Sequence, residues 1–312
     1  MHGKAQFMLR KGEKISEQVL VATTGKFISY LGKGTDHLDP KLIKVVVVDE
    51  ADAIVDSGDT RKTSDILEIK QKLTMAHKRA KTSGFQMVLL SATFEPHVLK
   101  YAKQLVQDPG NCNVLTLPKQ EVSVKNVKQL YCNCNGDDGK YQVLETIYES
   151  VDVGQALIFV ERRDAAVALA MKMKDDGHEV DALTGGMDKV TQTALLDRFR
   201  AGEIKVLIAT NMLSRGVDVD KVSLVVNFDM PVRRGPKGGE EADPVTYNHR
   251  IGRTGRFGKT GSAITLVDSS DRDQVAMFGV IHRHYGAKIE ELVLARDEDH
   301  LENMLAEKDA KK

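Results

Sequence analysis

The sequence has 312 residues, and its 45 lysine and arginine residues balance its 45 aspartate and glutamate residues. The length suits two domains of ordinary size, and a composition of 41% hydrophobic and 29% charged residues is that of a folded globular protein. Zero net charge excludes a uniformly basic nucleic-acid coat protein but allows a local basic groove. Apolar runs are shorter than the roughly 18 residues of a membrane helix. Residues 1–10 lack the apolar core of a secretory signal peptide. No membrane insertion is expected.

Three cysteines, Cys112, Cys132 and Cys134, argue against a disulfide framework and fit a reducing compartment. Cys132 and Cys134 could form half of a metal site, but the sequence has no second pair to complete it. Two incidental thiols near a strand end are the simpler interpretation.

Short runs in which every residue is apolar predict strands buried on both faces of a parallel sheet. In the first part of the chain the predicted strands are 19–23, 43–49, 86–91 and 114–117. In the second part, the clearest runs are 156–160, 206–209 and 224–226. Apolar residues at helical spacing lie between the runs, for example Ile66, Ile69 and Leu73, and later Leu195, Leu196 and Phe199. This alternation predicts a doubly wound α/β architecture.

The polar, extended stretch at 118–124 predicts a linker between a partial first domain, 1–117, and a second domain, 125–312. The Gly-rich, charged segment 232–243 predicts a surface loop. The charged tail from Glu290 onward predicts an exposed terminal helix.

Three acidic residues, Asp49, Glu50 and Asp52, follow directly on an apolar run that ends at Val48. Ligands of a parallel sheet bind beyond the carboxyl ends of its strands. A carboxylate there can hold the Mg²⁺ of a nucleotide through water, and a glutamate can deprotonate an attacking water. The alternative is an acidic helix start favoured by the helix dipole. The buried strand immediately upstream favours the functional interpretation.

Small polar residues follow two other predicted strands. Ser91 and Thr93 lie at the same sheet edge as Asp52 and could link nucleotide state to domain position, although alone they indicate an N-cap and turn. After the run 206–209, Arg215 can meet a phosphate and Asp218 can accept from a ribose hydroxyl or pair with an arginine. By itself this second pattern is weak.

The strongest pattern is the stretch 247–256, where Arg250, Arg253 and Arg256 recur every third residue. The spacing predicts that they lie along one side of a helical turn, and the glycines between them let the backbone pack closely or bend. Clustered arginines need an anionic partner, and phosphate is the natural one. The alternative, a solvated basic face, would not need the interleaved glycines.

The order of these segments resembles that of the DEAD-box RNA helicases. The matching stretches are DEAD at 49–52, SAT at 91–93, LIFV at 157–160, ATNMLSRGVDV at 209–219 and HRIGRTGR at 249–256. Further stretches are similar to the subfamily that remodels messenger ribonucleoprotein at the nuclear pore; they are RKGEKISEQVLVATTGK, LLSATFE and VNFDMP. The resemblance covers about residues 10–295, and the ordered set is far more specific than any one short motif.

The resemblance implies a role for each matching residue. Asp49 would hold Mg²⁺ through water, and Glu50 would act as the catalytic base. Phosphate and nucleotide contacts are implied for Arg253, Arg256, Gly216 and Asp218. RNA contacts are implied for Thr23, Gly25, Lys26, Thr210, Arg215, Gly216 and Arg250. Coupling between the domains is implied for Asp52, Ser91, Thr93 and His249.

The implied fold class is α/β, with two RecA-like parallel-sheet domains in tandem, the first lacking its N-terminal strands and phosphate loop. The family's Gly-x-x-x-x-Gly-Lys-Ser/Thr loop is not found in the sequence. Gly258, Lys259 and Thr260 have the right ending, but Arg253 stands where the first glycine is required. The family's Thr-Pro-Gly-Arg element has Thr24 and Lys26 in place of its proline and arginine, and a lysine lacks the bidentate geometry of arginine.

The function implied is that of an ATP-dependent RNA helicase that remodels ribonucleoprotein, with ATP and Mg²⁺ as cofactors and with turnover impaired by the missing loop. The alternative is a non-catalytic RNA- or partner-binding protein of helicase-like fold. The implied partners are single-stranded or short duplex RNA, bound without sequence preference, and a nuclear-pore activator protein. A monomer in the cytoplasm and nucleus, including the nuclear-pore rim, is expected.

Overall fold

The computed structural model describes residues 10, 12–32, 37–56, 60–105, 112–117, 124, 126–150, 154–211, 221–235, 238–256, 258–286 and 288–294. The chain divides into two compact units, Met1–Leu115 and Thr116–Lys312. The predicted linker at 118–124 lies outside the described residues except for Val124. Within the described ranges, no helix combines the length and apolar character needed to cross a membrane.

The first unit packs helices against one face of a short parallel sheet. Its strands are β1 (Val45–Val48) and β2 (Gln86–Leu89), and its helices are α1 (Thr24–Tyr30), α2 (Ala51–Asp56), α3 (Thr60–Ala80) and α4 (Pro96–Leu105). A single 3₁₀ turn, Pro40–Leu42, precedes β1. Val48, Ile66 and Leu105 form the core with their neighbours on this face. The opposite face is not covered by the described residues, because Val45 and Val47 are 53% and 56% exposed. The prediction that β1 is buried on both faces was therefore wrong.

Two predicted strands of the first unit, 19–23 and 114–117, are also absent. Both segments have irregular backbone in the structure, and their apolar side chains, such as Val21 and Leu115, are exposed. A strand requires a neighbour that accepts and donates its backbone hydrogen bonds. Within the described residues, only β1 and β2 supply such a partnership in this unit.

The second unit is built on a parallel sheet in which seven strands are described, in the order β11-β3-β10-β7-β4-β6-β5. These strands are β3 (Val127–Cys134), β4 (Gln155–Phe159), β5 (Val180–Leu183), β6 (Val206–Ala209), β7 (Val222–Asn227), β10 (Gly261–Asp268) and β11 (Ile289–Glu291). The connecting helices are α5 (Gly136–Ser150), α6 (Arg163–Asp175), α7 (Lys189–Ala201), α8 (Pro244–Ile251) and α9 (Arg272–Tyr285). All sheet pairings are parallel.

Helices cover both faces of this sheet, as its apolar runs predict. Leu144 on α5 and Ala166 on α6 belong to the core on one face, and Leu195 on α7, Tyr247 on α8 and Ile281 on α9 belong to the core on the other. Every residue of β4 and β6 is buried. The strands predicted at 156–160, 206–209 and 224–226 are confirmed as β4, β6 and part of β7.

Two other expectations for this unit need correction. The predicted loop at 232–243 contains an antiparallel hairpin of β8 (Val232–Arg234) and β9 (Glu240–Ala242). Arginines on β8 lie opposite glutamates on β9, and such cross-strand pairs stabilise a short hairpin. The tail predicted as helical from Glu290 begins instead within β11, and residues 295–312 lie outside the described part of the chain. Cys132 and Cys134 are buried free thiols at the end of β3.

Helix α7 has an N-cap whose contribution can be tested by pH. The Asp188 carboxylate accepts hydrogen bonds from the backbone N–H groups of Val190 and Thr191, at 2.9 and 3.0 Å. Hydrogen bonds from the Thr191 side chain and backbone lower the pKa of Asp188. A lowered pKa means that the stabilisation is present above the unfolded-state pKa and is lost as pH falls through the folded-state value.

We expect Asp188→Ala to lower the melting temperature of the second unit by about 2–4 °C at pH 7, because an N-cap bond is lost. The difference from the wild type should shrink as pH falls below about 4. Thermal unfolding followed by circular dichroism at several pH values measures this. A difference that does not change with pH would contradict the assignment of the carboxylate as the cap.

Candidate functional site

The carboxyl end of β1 carries two acidic residues in an unusual backbone conformation. Asp49 is exposed, and its Oδ1 accepts a hydrogen bond of 2.8 Å from the Glu50 backbone N–H. Glu50 has φ of +50°, a left-handed conformation that costs roughly 1–2 kcal/mol for a residue other than glycine. Backbone strain of this kind clusters at functional sites. The chain thus turns sharply at the strand end and directs these two residues beyond the sheet.

The next carboxylate, Asp52, is fully buried at the start of α2. Its backbone N–H donates to Ser91 Oγ at 3.2 Å, and Ser91 Oγ donates in turn to the Thr93 carbonyl at 2.6 Å. Asp52 is 0% exposed, and neither of its carboxylate oxygens has a hydrogen-bond partner within the described residues. The structure therefore brings together Asp52, Ser91 and Thr93, which the sequence placed at one sheet edge.

The three residues implied in RNA contact from the first unit lie at the start of α1. Thr23 is the N-cap, and Thr23, Gly25 and Lys26 are all exposed. Thr24, which replaces the family's proline, donates from Oγ1 to Asp65 Oδ2 at 3.1 Å. A side-chain hydrogen bond to α3 thus fixes the position of a turn that a proline ring would otherwise restrict.

In the second unit, α8 ends at Ile251, so Arg253 and Arg256 lie beyond the helix. Arg253 Nε donates to the His249 carbonyl at 3.0 Å, and Arg256 Nε donates to the Gly252 carbonyl at 2.8 Å. Each guanidinium is thereby held back along the end of the helix, and both side chains are only partly buried. Both arginines are therefore accessible enough to bind an anion.

The backbone between these two arginines is packed against the amino ends of the strands. Thr254 is 1% exposed, and its hydroxyl contacts the Val222 and Ser223 carbonyls at 2.7 and 3.0 Å. Gly255 has φ of +68°, and a Cβ there would lie 2.9 Å from the Asn126 carbonyl oxygen. Glycine is therefore required by both conformation and space. The role that the sequence gave to the glycines, close packing, holds here.

Arg250 differs from the other two arginines because it is fully buried, with 0% exposure. Its Nε and Nη2 donate to Asn211 Oδ1, the former at 3.0 Å. Its Nη1 donates to Asn227 Oδ1 at 3.2 Å and to the Asp229 carbonyl at 2.7 Å. Glu161 Oε2 lies 3.7 Å from Nη2. The expectation of three arginines on one side of a turn was wrong, because the helix stops after Ile251.

Burial shifts the pKa values of Arg250 and Glu161 in opposite directions. Burial lowers the pKa of Arg250 to about 10, so the side chain remains protonated at neutral pH. Burial also raises the pKa of Glu161, although the charge of Arg250 and the hydrogen bond from Asn211 oppose that shift. The Asn211 amide donates to Glu161 at 2.7 Å. In this cluster the positive charge of Arg250 and the negative charge of Glu161 offset each other, and Asn211 forms hydrogen bonds with both.

Of the remaining site residues predicted from the sequence, two lie within the described part of the second unit and three lie outside it. Thr210 is 6% exposed directly after β6, and His249 is partly buried on α8. Arg215, Gly216 and Asp218, with implied RNA and nucleotide contacts, lie outside the described residues.

Two further groups in the second unit were not singled out from the sequence. One group is Glu161, Asn211 and Asp229, which follow β4, β6 and β7. Ligands of a parallel sheet bind beyond the carboxyl ends of its strands, and this rule, which selected Asp49, could have selected these three residues as well. Arg163 at the start of α6 lies against a glycine pair, since a Cβ at Gly185 would be 3.0 Å from its guanidinium. No pattern in the sequence connects those two positions.

The donor set at the end of β1 fits the carboxylate part of a magnesium–nucleotide site. Mg²⁺ keeps several of its waters and needs only one or two carboxylates together with substrate phosphates, and Asp49 can supply one. In the part of the chain that is described, no three His, Cys, Asp or Glu side chains converge as ligands for a metal ion.

Comparison with known protein families places both units. Residues 2–101 match the family described as DEAD/DEAH box helicase, and residues 139–258 match the helicase conserved C-terminal domain. The chain is 40% identical over 284 residues to the ATP-dependent RNA helicase DDX19A of Bos taurus, covering 91% of this chain and 55% of the relative. It is also 40% identical over 282 residues to the DEAD-box helicase Dbp80 of Drosophila melanogaster, covering 90% of this chain and 57% of that protein. The chain thus spans about half the length of these curated relatives.

Solved structures give the same result for the fold. A variant of S. cerevisiae Dbp5 bound to RNA and ADP–BeF₃ is similar with a TM-score of 0.78 at 36% identity, covering 95% of this chain and 71% of that one. A second Dbp5 structure, bound to Gle1 and IP6, is similar with a TM-score of 0.75 at 34% identity, covering 95% of this chain and 70% of that one. The predicted fold class, with two tandem RecA-like α/β domains, is confirmed.

Proposed function

Because the chain belongs to the DEAD-box RNA helicase family, we propose that it binds RNA along the sugar–phosphate backbone and serves ATP-dependent remodelling of ribonucleoprotein. The observation that carries this proposal is the strand-end cluster of the first unit. There the backbone at Glu50 is strained, with φ of +50°, and the neighbouring Asp52 is buried against Ser91. An arrangement that costs stability is retained where it serves a ligand.

Each residue of the site has a proposed task. Asp49 would hold Mg²⁺ through water, and the metal would supply positive charge beside the phosphates. Glu50 orients and deprotonates the attacking water. Arg253 and Arg256 contact phosphate oxygens, and Asp218 accepts from the ribose. Asp52, Ser91, Thr93 and His249 couple the two domains. Gly216 is proposed to contact both the nucleotide and the RNA.

RNA recognition is proposed to depend on phosphate contacts rather than base contacts. Exposed Lys26 at the start of α1 contributes a point charge there, next to Thr23 and Gly25. Thr210, Arg215 and Gly216 contribute from the second unit. Phosphate contacts carry no sequence information, so single-stranded or short duplex RNA of any sequence is the proposed substrate.

The partners are proposed from the subfamily. Solved structures of Dbp5 show that protein bound to Gle1 and IP6, and to Nup159, Gle1, IP6 and ADP. We propose an activator protein of the nuclear pore as a partner of this chain, and a monomer that works in the cytoplasm and nucleus and at the nuclear-pore rim in messenger RNA export.

A second candidate function rests on one specific observation. The 312-residue sequence contains no Gly-x-x-x-x-Gly-Lys-Ser/Thr stretch, so the polypeptide lacks the loop that cradles phosphates in this family. We propose that ATP turnover is impaired in this polypeptide. A non-catalytic RNA- or partner-binding role is the alternative.

RNA binding is tested by the fluorescence anisotropy of a labelled ten-nucleotide uridine RNA at several salt concentrations. We expect the affinity to fall as salt rises, because bound phosphates release counterions. Lys26→Met should lessen the slope of log affinity against log salt by about 0.7, the value for one phosphate contact to a single strand.

The matched control is Lys78→Met, which removes an exposed lysine of α3 that has no proposed RNA contact. It should leave the salt slope unchanged. If Lys26→Met and Lys78→Met behave alike, the RNA contact at α1 is wrong. If the wild type shows no binding at low salt, the proposed function itself fails.

A further inference from the structure

The structure assigns to Arg250 a positioning role: it fixes helix α8 against three strand ends, so that Arg253 and Arg256 are held in one arrangement. Arg250 is the largest fully buried side chain among the described residues, with 0% exposure. A guanidinium that is sealed from solvent cannot also bind an RNA phosphate unless the domain opens. A positioning role for Arg250 therefore replaces the RNA contact that the resemblance implies for this residue.

The partners of Arg250 come from three different strands. Asn211 follows β6, Glu161 follows β4, and Asn227 ends β7. The guanidinium contacts all three, together with the Asp229 carbonyl. Side chains of a helix lean back toward its amino end, which is why a residue near the end of α8 reaches the carboxyl edge of the sheet.

The geometry uses the donors that distinguish arginine from lysine. A guanidinium carries five N–H donors in a fixed plane, and the contacts of Arg250 occupy Nε, Nη1 and Nη2. The Phe159 ring lies 5.1 Å from the guanidinium carbon and closes one side. An ammonium group carries its three donors on a single nitrogen, so it cannot reproduce contacts that are spread over the three nitrogens of a guanidinium.

A second network fixes the same strand ends from the opposite side. Lys140 of α5 is 2% exposed and donates to Asp229 Oδ1 at 3.0 Å, while Asp229 Oδ2 accepts from the Glu161 backbone N–H at 2.9 Å. The acceptors around Arg250 are thus themselves held in place. A buried polar network that is fully satisfied specifies one arrangement of its members.

The arginine turn follows Arg250 without any flexible connection. Gly252 continues the last turn of α8, and its N–H donates to the Asn248 carbonyl at 2.9 Å. The Arg253 and Arg256 side chains donate to carbonyls of this same segment. Movement of the end of α8 would therefore move both guanidinium groups. That these groups meet phosphate rests on the proposed function, whereas their dependence on Arg250 does not.

The test is amide hydrogen exchange, measured by mass spectrometry on the 312-residue chain and on its Arg250→Lys variant. We expect exchange in residues 244–256 to be faster by about tenfold or more in the variant, because charge-assisted hydrogen bonds that hold this segment are lost. Peptides that cover β10 and α5 should exchange as in the wild type. Asn211→Ala removes the acceptor of two donors and should give the same pattern with smaller amplitude, should Arg250→Lys not fold.

Arg256→Lys is the matched control, since it changes an arginine of the same turn without touching the buried network. It should leave exchange in residues 244–251 unchanged. Unchanged exchange in the Arg250→Lys variant would overturn the inference, and so would a uniform rise across the second unit, which indicates a general structural role.

Binding of the uridine RNA separates this inference from the proposed function. Arg250→Met should retain the wild-type salt slope, because no phosphate contact is removed; a slope reduced by about 0.7 would overturn the inference in favour of direct contact. If the wild type binds no RNA, the proposed function fails, and the exchange measurement still decides the positioning role.

Discussion

We expect the 312-residue polypeptide to release no phosphate from Mg·ATP above the no-protein background, in the presence or absence of RNA. In this family the phosphate loop provides backbone N–H donors and a lysine to the phosphates, and the sequence contains no such loop. Loss of one preorganised donor commonly costs a hundredfold to a thousandfold in rate (~10²–10³). Loss of several donors and the cation together should reduce turnover below detection.

A phosphate-release assay with and without single-stranded RNA measures this, and Glu50→Gln is the control. The variant keeps the size of the side chain and removes the base, so it should give the same background as the wild type. RNA-stimulated release that disappears in Glu50→Gln would contradict the prediction. Release that persists unchanged in the variant would come from a contaminating ATPase.

Part of the site could be predicted from one rule, namely that ligands of a parallel sheet bind beyond the carboxyl ends of its strands. Applied to the apolar runs alone, it predicts that Asp52 lies beside Ser91, and their 3.2 Å hydrogen bond follows from the parallel pairing of β1 and β2. Adjacent parallel strands end at the same edge, so residues that follow them meet even when they are far apart in sequence. This part of the site depends only on where the apolar runs end.

The fate of Arg250 shows what a local pattern cannot predict. Three arginines at equal spacing look equivalent in sequence, but one is buried and two are partly exposed. The burial of Arg250 is tolerated only because Glu161, Asn211 and Asn227, which are distant in sequence, surround its guanidinium. A charge can be buried where such partners are supplied, and their assembly is a property of the tertiary fold.

Strand prediction failed for a related reason. The segments 19–23 and 114–117 have apolar residues but no described neighbour to pair with, while β3 has polar residues such as Gln129 and is a strand between β10 and β11. Pairing, rather than composition alone, decides whether an extended segment becomes a strand. The apolar runs of β4 and β6 succeeded because central strands are buried on both faces.

We expect Asp52→Asn to stabilise the first unit by about 1–3 kcal/mol, because a carboxylate that is buried without a partner costs more than a neutral amide in the same position. The carboxylate is 0% exposed, and neither oxygen has a hydrogen-bond partner in the described part of the chain. The dipole of α2 favours a carboxylate in its first turn by about 0.3–1 kcal/mol, which is the smaller effect. The backbone bond from residue 52 to Ser91 is unaffected by the change.

Denaturant unfolding of the 312-residue chain measures the effect, and Asp49→Asn is the control. Asp49 is exposed at the end of the same strand, so its substitution should change stability by no more than about 0.5 kcal/mol. Destabilisation by Asp52→Asn would contradict the prediction, because it would show that the carboxylate already has a favourable partner.

Stabilisation by Asp52→Asn would also bear on why the residue is acidic. A buried charge that lowers the stability of its own unit has no structural benefit there, and natural proteins accept such a cost where activity requires it. The proposed coupling role supplies that requirement, since a donor that reaches Asp52 only in the RNA-bound state would recover the lost free energy on binding. The same buried carboxylate would then make the RNA-bound state more favourable relative to the free state.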